Sequence, residues 1–116
     1  MAIIRITDLT LNAIIGIYDW ERVTKQTIII NTTIEYNATK AIVTDAIKYA
    51  LDYKSITKEI ITLVKESHFQ LLETLTDSIL KIIMRNKAVK NATVRVDKPR
   101  ALRFAKSVSI ELSAKR

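Results

Sequence analysis

Cysteine is absent from this 116-residue chain. That excludes disulfides, thiolate chemistry and cysteine-based zinc sites, and it fits a cytoplasmic home. Histidine occurs once, at His68. A catalytic zinc takes three protein ligands from His, Cys and carboxylates, so no metal site is expected, and His68 reads as a helix-start residue. A Ser-His-Asp arrangement would need the same imidazole, and no motif supports one. Gly16 is the only glycine, so a glycine-rich phosphate loop is excluded. Pro99 is the only proline. Each of these two residues is expected where the backbone demands it. No run of about 18 apolar residues occurs, so no transmembrane helix is expected. Met1-Ala2-Ile3-Ile4-Arg5 lacks the charged segment and long apolar run of a signal peptide.

What is present describes a folded chain. Apolar residues make up 48% and charged residues 27%, which suits one domain spanning 1–116 with a modest core. The net charge of +7 comes from 19 Lys+Arg against 12 Asp+Glu. Such a balance serves nucleic acid, an anionic small substrate or solubility. The basic residues do not gather on one helix face and no nucleic-acid motif occurs, so neither nucleic acid nor membrane is expected as a partner.

Residues 2–11 favour a strand through Ile, Thr and Leu. Gln26 to Tyr36 alternates, with Ile28, Ile30, Thr32, Ile34 and Tyr36 on the more apolar face. Thr44-Asp45 reads as the cap of a short helical piece reaching Leu51. Ile56, Ile60, Leu63 and Val64 give a helix from about Lys54 to Glu66. Leu72, Leu75, Ile79, Ile82 and Ile83 form the stripe of a second helix, placed from His68 to Arg85 by a Ser67/Gln70 capping-box pattern. Asp77 and Lys81 form an i,i+4 pair on its wet side. Two further strands follow, through Ala92, Val94 and Val96 and through Val108, Ile110 and Leu112, with Lys98-Pro99 ending the first. The order β-β-α-α-β-β implies an α+β domain: a four-stranded antiparallel sheet with two helices packed on one face. Its open edges invite pairing with further copies into a ring.

Four polar residues stand at element ends, where sites are usually built: Glu21, Tyr53, Glu73 and Lys98. Taken singly, each also reads as a surface residue, and Trp20 reads as a packing residue.

Together the flanking motifs resemble a known family. Ile15-Gly16-Ile17-Tyr18-Asp19-Trp20-Glu21-Arg22 with Gln26, Asp45-Ala46 through Leu51-Asp52-Tyr53, Phe69-Gln70-Leu71-Leu72-Glu73-Thr74-Leu75 and Lys98-Pro99-Arg100-Ala101-Leu102-Arg103 resemble, in order, four signatures of the dihydroneopterin aldolases. The resemblance implies the tunnelling fold (T-fold), with four-membered rings stacked in pairs as octamers. It implies that Glu73 accepts hydrogen bonds from the aminopyrimidine edge of a pterin, helped by the backbone of Leu72. It implies that Glu21 orients Lys98 and a water, and that Lys98 is the general acid/base. It further implies that Tyr53 enters from a neighbouring subunit and moves a proton on the side-chain carbon.

The implied reaction, in folate biosynthesis, needs neither metal nor cofactor. Breaking the C1′–C2′ bond of 7,8-dihydroneopterin leaves a carbanion, which the protonated ring imine absorbs as an enamine. The products are 6-hydroxymethyl-7,8-dihydropterin and glycolaldehyde. Re-adding the aldehyde through its other face inverts C2′ at the same site.

The stretch from Asp97 to Ser109 and the opening Ala2-Ile3-Ile4-Arg5-Ile6 are instead similar to the sister branch, the dihydroneopterin triphosphate 2′-epimerases. Arg100, Arg103 and Lys106 there either face a triphosphate or form a solvated basic turn. The expectation from sequence is the aldolase, with the epimerase as the alternative. A non-catalytic purine- or nucleic-acid-binding ring protein is the rival from another class.

Overall fold

In the computed structural model, residues 1–116 form four strands, three α-helices and one 3-10 turn. The strands are β1 (Ala2–Ala13), β2 (Gln26–Tyr36), β3 (Val89–Pro99) and β4 (Ser107–Lys115). They lie in sequence order as one antiparallel sheet, leaving β1 and β4 at the edges. The helices are α1 (Thr39–Thr44), α2 (Tyr53–Glu66) and α3 (Leu72–Met84), with the 3-10 turn at Ile47–Tyr49. Strands of 11 and 12 residues make the molecule long, 52 × 27 × 21 Å.

The alternation in β2 comes out as expected: Ile28, Ile30, Thr32 and Ile34 are buried, while Thr27, Ile29, Asn31, Thr33 and Glu35 are not. β1 needs a bulge between Ile6 and Leu9, because its inward residues are Ile4 and Ile6 before the break and Leu9 and Leu11 after it. Asp8 takes φ 55° at the bulge, held by Asn31: the Asp8 N–H donates to Asn31 Oδ1 at 2.9 Å, and Asn31 Nδ2 donates to Asp8 Oδ1 at 3.1 Å. The core lies between this face and two amphipathic helices. α2 contributes Ile56, Ile60 and Val64; α3 contributes Leu75, Ile79, Leu80 and Ile83. The Asp77–Lys81 pair forms at 2.8 Å, exposed as expected.

Two boundaries differ from the sequence reading. The second helix begins at Leu72, not His68, and Ser67 and Gln70 form no capping box. Ser67 Oγ instead donates back to the Val64 carbonyl, at the end of α2. The cause lies outside the segment: the Phe69 carbonyl accepts from the Gly16 N–H and from Arg22, and the His68 carbonyl accepts from Arg22. These bonds hold 67–71 out of the helix and against the loop that follows β1. His68 is accordingly a loop residue. Thr44 and Asp45 close a helix and do not open one. Asp45 takes φ 53° as a left-handed cap, and its N–H donates to the Ala41 carbonyl.

The sheet also fixes where chemistry is built. Ala92, Val94 and Val96 face the helices, and Lys98 continues that parity one step past the last apolar rung. Gln26 opens β2 at the same end of the sheet.

Candidate active site

The loop 14–25 turns sharply before β2. Backbone N–H groups of Glu21, Arg22 and Val23 donate to the carbonyls of Tyr18, Asp19 and Trp20. This turn aims Glu21 inward and leaves Tyr18, Trp20 and Val23 exposed.

Glu21 is only 5% exposed, which is rare for a carboxylate and requires partners. It has three. Lys98 Nζ donates to Oε2 at 2.5 Å, Gln26 Nε2 donates to the same oxygen at 3.1 Å, and the Tyr18 N–H donates to Oε1 at 3.3 Å. Gln26 is itself fixed, donating to the Ile15 carbonyl at 2.8 Å. Burial pushes the Glu21 carboxyl up, but the bonds from Lys98, Gln26 and Tyr18, with the lysine's charge, hold it below its ordinary value. The Lys98 side chain is 16% exposed, so the pair is shielded yet reachable.

Gly16 is the seat of this acid. Its φ is 134°, and a Cβ there would lie 2.3 Å from Glu21 Cδ. The lone glycine is thus explained by close approach as well as by backbone conformation. Arg22, next along, ties the two walls together. Its guanidinium donates to the carbonyls of Gly16 and Phe69 at 3.1 Å each, and to that of His68 at 2.5 Å. Arg22→Ala is expected to lower the unfolding free energy by about 1–3 kcal/mol in urea denaturation, because those carbonyls lose a charged donor. A loss within about 0.5 kcal/mol, ordinary for a surface substitution, would contradict that role.

A cleft of about 310 Å³ opens over the pair, lined among others by Tyr18, Trp20, Glu21, Leu72, Lys98 and Arg100. Trp20 is 56% exposed on this cleft and is no packing residue, correcting the sequence reading. An indole held in a turn beside a buried acid offers a flat apolar wall. The hollows along α2, of about 340 and 500 Å³, are lined by Ser55, Glu59 and Arg85 and gather no buried acid or base.

Of the residues singled out from sequence, the cleft gathers Glu21, Lys98 and Leu72. Glu73 follows Leu72 in the first turn of α3; it is exposed and outside the lining in a single copy. Tyr53 opens α2, where the Asp52 carboxylate accepts from the Ser55 N–H. The phenol is 49% exposed beside a separate hollow with Ile47, Leu51 and Asp52. One copy of the chain does not bring Tyr53 to Lys98.

A family model described as dihydroneopterin aldolase matches residues 4–113. The chain belongs to the dihydroneopterin aldolase family. A dihydroneopterin triphosphate 2′-epimerase of Pseudomonas aeruginosa is 51% identical over 116 residues, covering 100% of this chain and 94% of that one. A dihydroneopterin aldolase of Haemophilus influenzae is 28% identical over 105 residues, covering 90% and 89%. The crystal structure of the Escherichia coli dihydroneopterin aldolase in complex with neopterin matches at a TM-score of 0.92, covering 98% of this chain and 99% of that one. At 23% identity this last likeness speaks for the fold. The aldolase-family layout of antiparallel sheet and paired helices is therefore the one the sequence led us to expect. The chain is an enzyme of that family, and none of its helices is long and apolar enough to cross a membrane.

Proposed function

We propose that the cleft over Glu21 and Lys98 holds a dihydropterin and breaks and re-forms its side-chain C1′–C2′ bond. The observation carrying this reading is the buried acid fastened to a reachable lysine on a cleft wall. Lys98 is the general acid/base. Glu21 holds it in place by their hydrogen bond and, with it, orients a water. The Glu73 carboxylate receives the N–H donors of the aminopyrimidine edge, since two acceptor oxygens match two donors. The backbone of Leu72 supports the same edge.

In the reaction the C2′ hydroxyl gives up its proton and becomes the carbonyl of the released aldehyde. The electron pair of the C1′–C2′ bond passes into the ring as an enamine. Tyr53 of the partner subunit returns a proton to C1′. Its distance from the cleft within one copy accords with that origin. The subunits join by sheet-edge pairing into a tetrameric ring, paired into an octamer in the cytoplasm, and the site is complete only there.

On 7,8-dihydroneopterin the net outcome is the aldolase reaction, giving 6-hydroxymethyl-7,8-dihydropterin and glycolaldehyde. The second reading is 2′-epimerisation of dihydroneopterin triphosphate, in which the aldehyde is re-added before it leaves. The greater identity to the Pseudomonas epimerase than to the Haemophilus aldolase favours the triphosphate as the preferred substrate. The two outcomes share bond cleavage and the same site residues. Purified protein offered both compounds side by side is expected to release glycolaldehyde from the first and invert C2′ in the second. Silence on both would overturn the reading and leave a binding protein.

A further inference from the structure

We propose that the turn joining β3 to β4 is a polyphosphate subsite, in which Arg100, Arg103 and Lys106 take the triphosphate of the substrate. The inference rests on the dihydropterin reading of the Lys98 cleft and concerns the turn that runs on from its wall at Arg100. Arg100 lines the cleft together with Lys98. The turn is fastened at its base: Pro99 pairs with Ser107, and the Arg100 N–H donates to the Lys106 carbonyl at 3.1 Å. Ser107 Oγ also donates to Asp97 at 2.6 Å. Above that base, residues 100–106 are all exposed. Arg100 and Phe104 hold φ values of 62° and 68°, uncommon for side-chain-bearing residues. The Arg103 guanidinium lies over the Phe104 ring, 5.5 Å from its centroid.

These cations have no internal counter-charge. No acidic residue occurs between Lys98 and Glu111. Asp97 is engaged by Arg95 and Ser107, and Glu21 by Lys98 and Gln26. The ion pairs of the molecule include none of Arg100, Arg103 or Lys106. An uncharged trihydroxypropyl side chain gives such a cluster nothing to neutralise. A triphosphate extending from the same side chain does, and the planar guanidinium fork suits its oxygens.

The test compares kcat/KM on dihydroneopterin triphosphate with kcat/KM on dihydroneopterin, for the wild type and for Arg100→Gln/Arg103→Gln/Lys106→Gln. The triphosphate preference is expected to fall roughly 30- to 100-fold, mainly through the KM of the triphosphate. Inorganic triphosphate is expected to compete in the wild type and to lose that effect in the variant. Because the readout is a ratio of two substrates, a loss of folded enzyme cancels. Equal losses on both substrates, or an unchanged ratio, would overturn the subsite and leave the cleft chemistry standing. A wild type inactive on both compounds would overturn the cleft reading and the subsite with it.

Discussion

Lys98→Ala is expected to lower kcat by about 10²–10⁴-fold on either pterin, the range for removing a positioned acid/base group. It is also expected to destabilise, because the variant leaves Glu21 buried without its strongest donor. The penalty is about 1–3 kcal/mol near neutral pH. The pH dependence separates the two effects. In the wild type the Glu21 carboxyl is held below its ordinary value. A depressed carboxylate contributes stability above its unfolded pKa, and that contribution disappears as pH falls through the folded value. Without Lys98 the bond and charge that lower it are gone and burial remains, so Glu21 binds its proton more readily. The stability gap between variant and wild type is therefore expected to shrink as the pH is taken down to about 4. Adding Glu21→Gln to Lys98→Ala should restore stability but no turnover. A variant as active as the wild type would remove Lys98 from the chemistry, and a pH-independent gap would contradict the account of the pair.

Gly16→Ala is expected to be the most damaging single-methyl change. The added Cβ would meet the Glu21 carboxyl at 2.3–2.4 Å, and φ 134° disfavours any side chain. The carboxylate cannot move aside freely, because Lys98, Gln26 and the Tyr18 N–H hold both its oxygens. We expect a loss of roughly 1–3 kcal/mol from strain, and a fall in kcat comparable to that of Lys98→Ala. Ala13→Gly serves as a control for the neighbourhood. Ala13 is also buried, but it lies outside the cleft lining. It should lose stability while keeping most activity per folded molecule. Full activity in Gly16→Ala would show that Glu21 need not occupy its present seat.

Much of this architecture was legible from local pattern. The β2 alternation and the stripes of α2 and α3 are strong periodic signals, and each buries the face it implied. The β1 bulge was less visible, because its two halves are out of phase and the break is spanned by the Asn31–Asp8 contact across the sheet. The start of α3 was misplaced for a similar reason. Ser67 and Gln70 are good local capping residues, but a distant arginine engages the carbonyls of His68 and Phe69 between them. The site divides along the same line. Gly16, Glu21 and Lys98 were readable as motif pieces, and the fold joins residues 77 apart in sequence into one hydrogen bond. The roles of Arg22 and Trp20 were not, since tying two loops and facing a cleft are properties of assembled segments. The single glycine, followed within a few residues by an acid and an arginine, was the nearest signal.

The most direct measurement is a crystal structure of the assembled protein grown with neopterin. The account predicts the aminopyrimidine edge on the Glu73 carboxylate and the backbone of Leu72. It places the side-chain carbons between Lys98 and Tyr53 of the partner subunit, each within about 2.6–3.2 Å of an atom that exchanges a proton. Neopterin seated away from the Glu21–Lys98 pair, or a complete site formed without a second subunit, would contradict it.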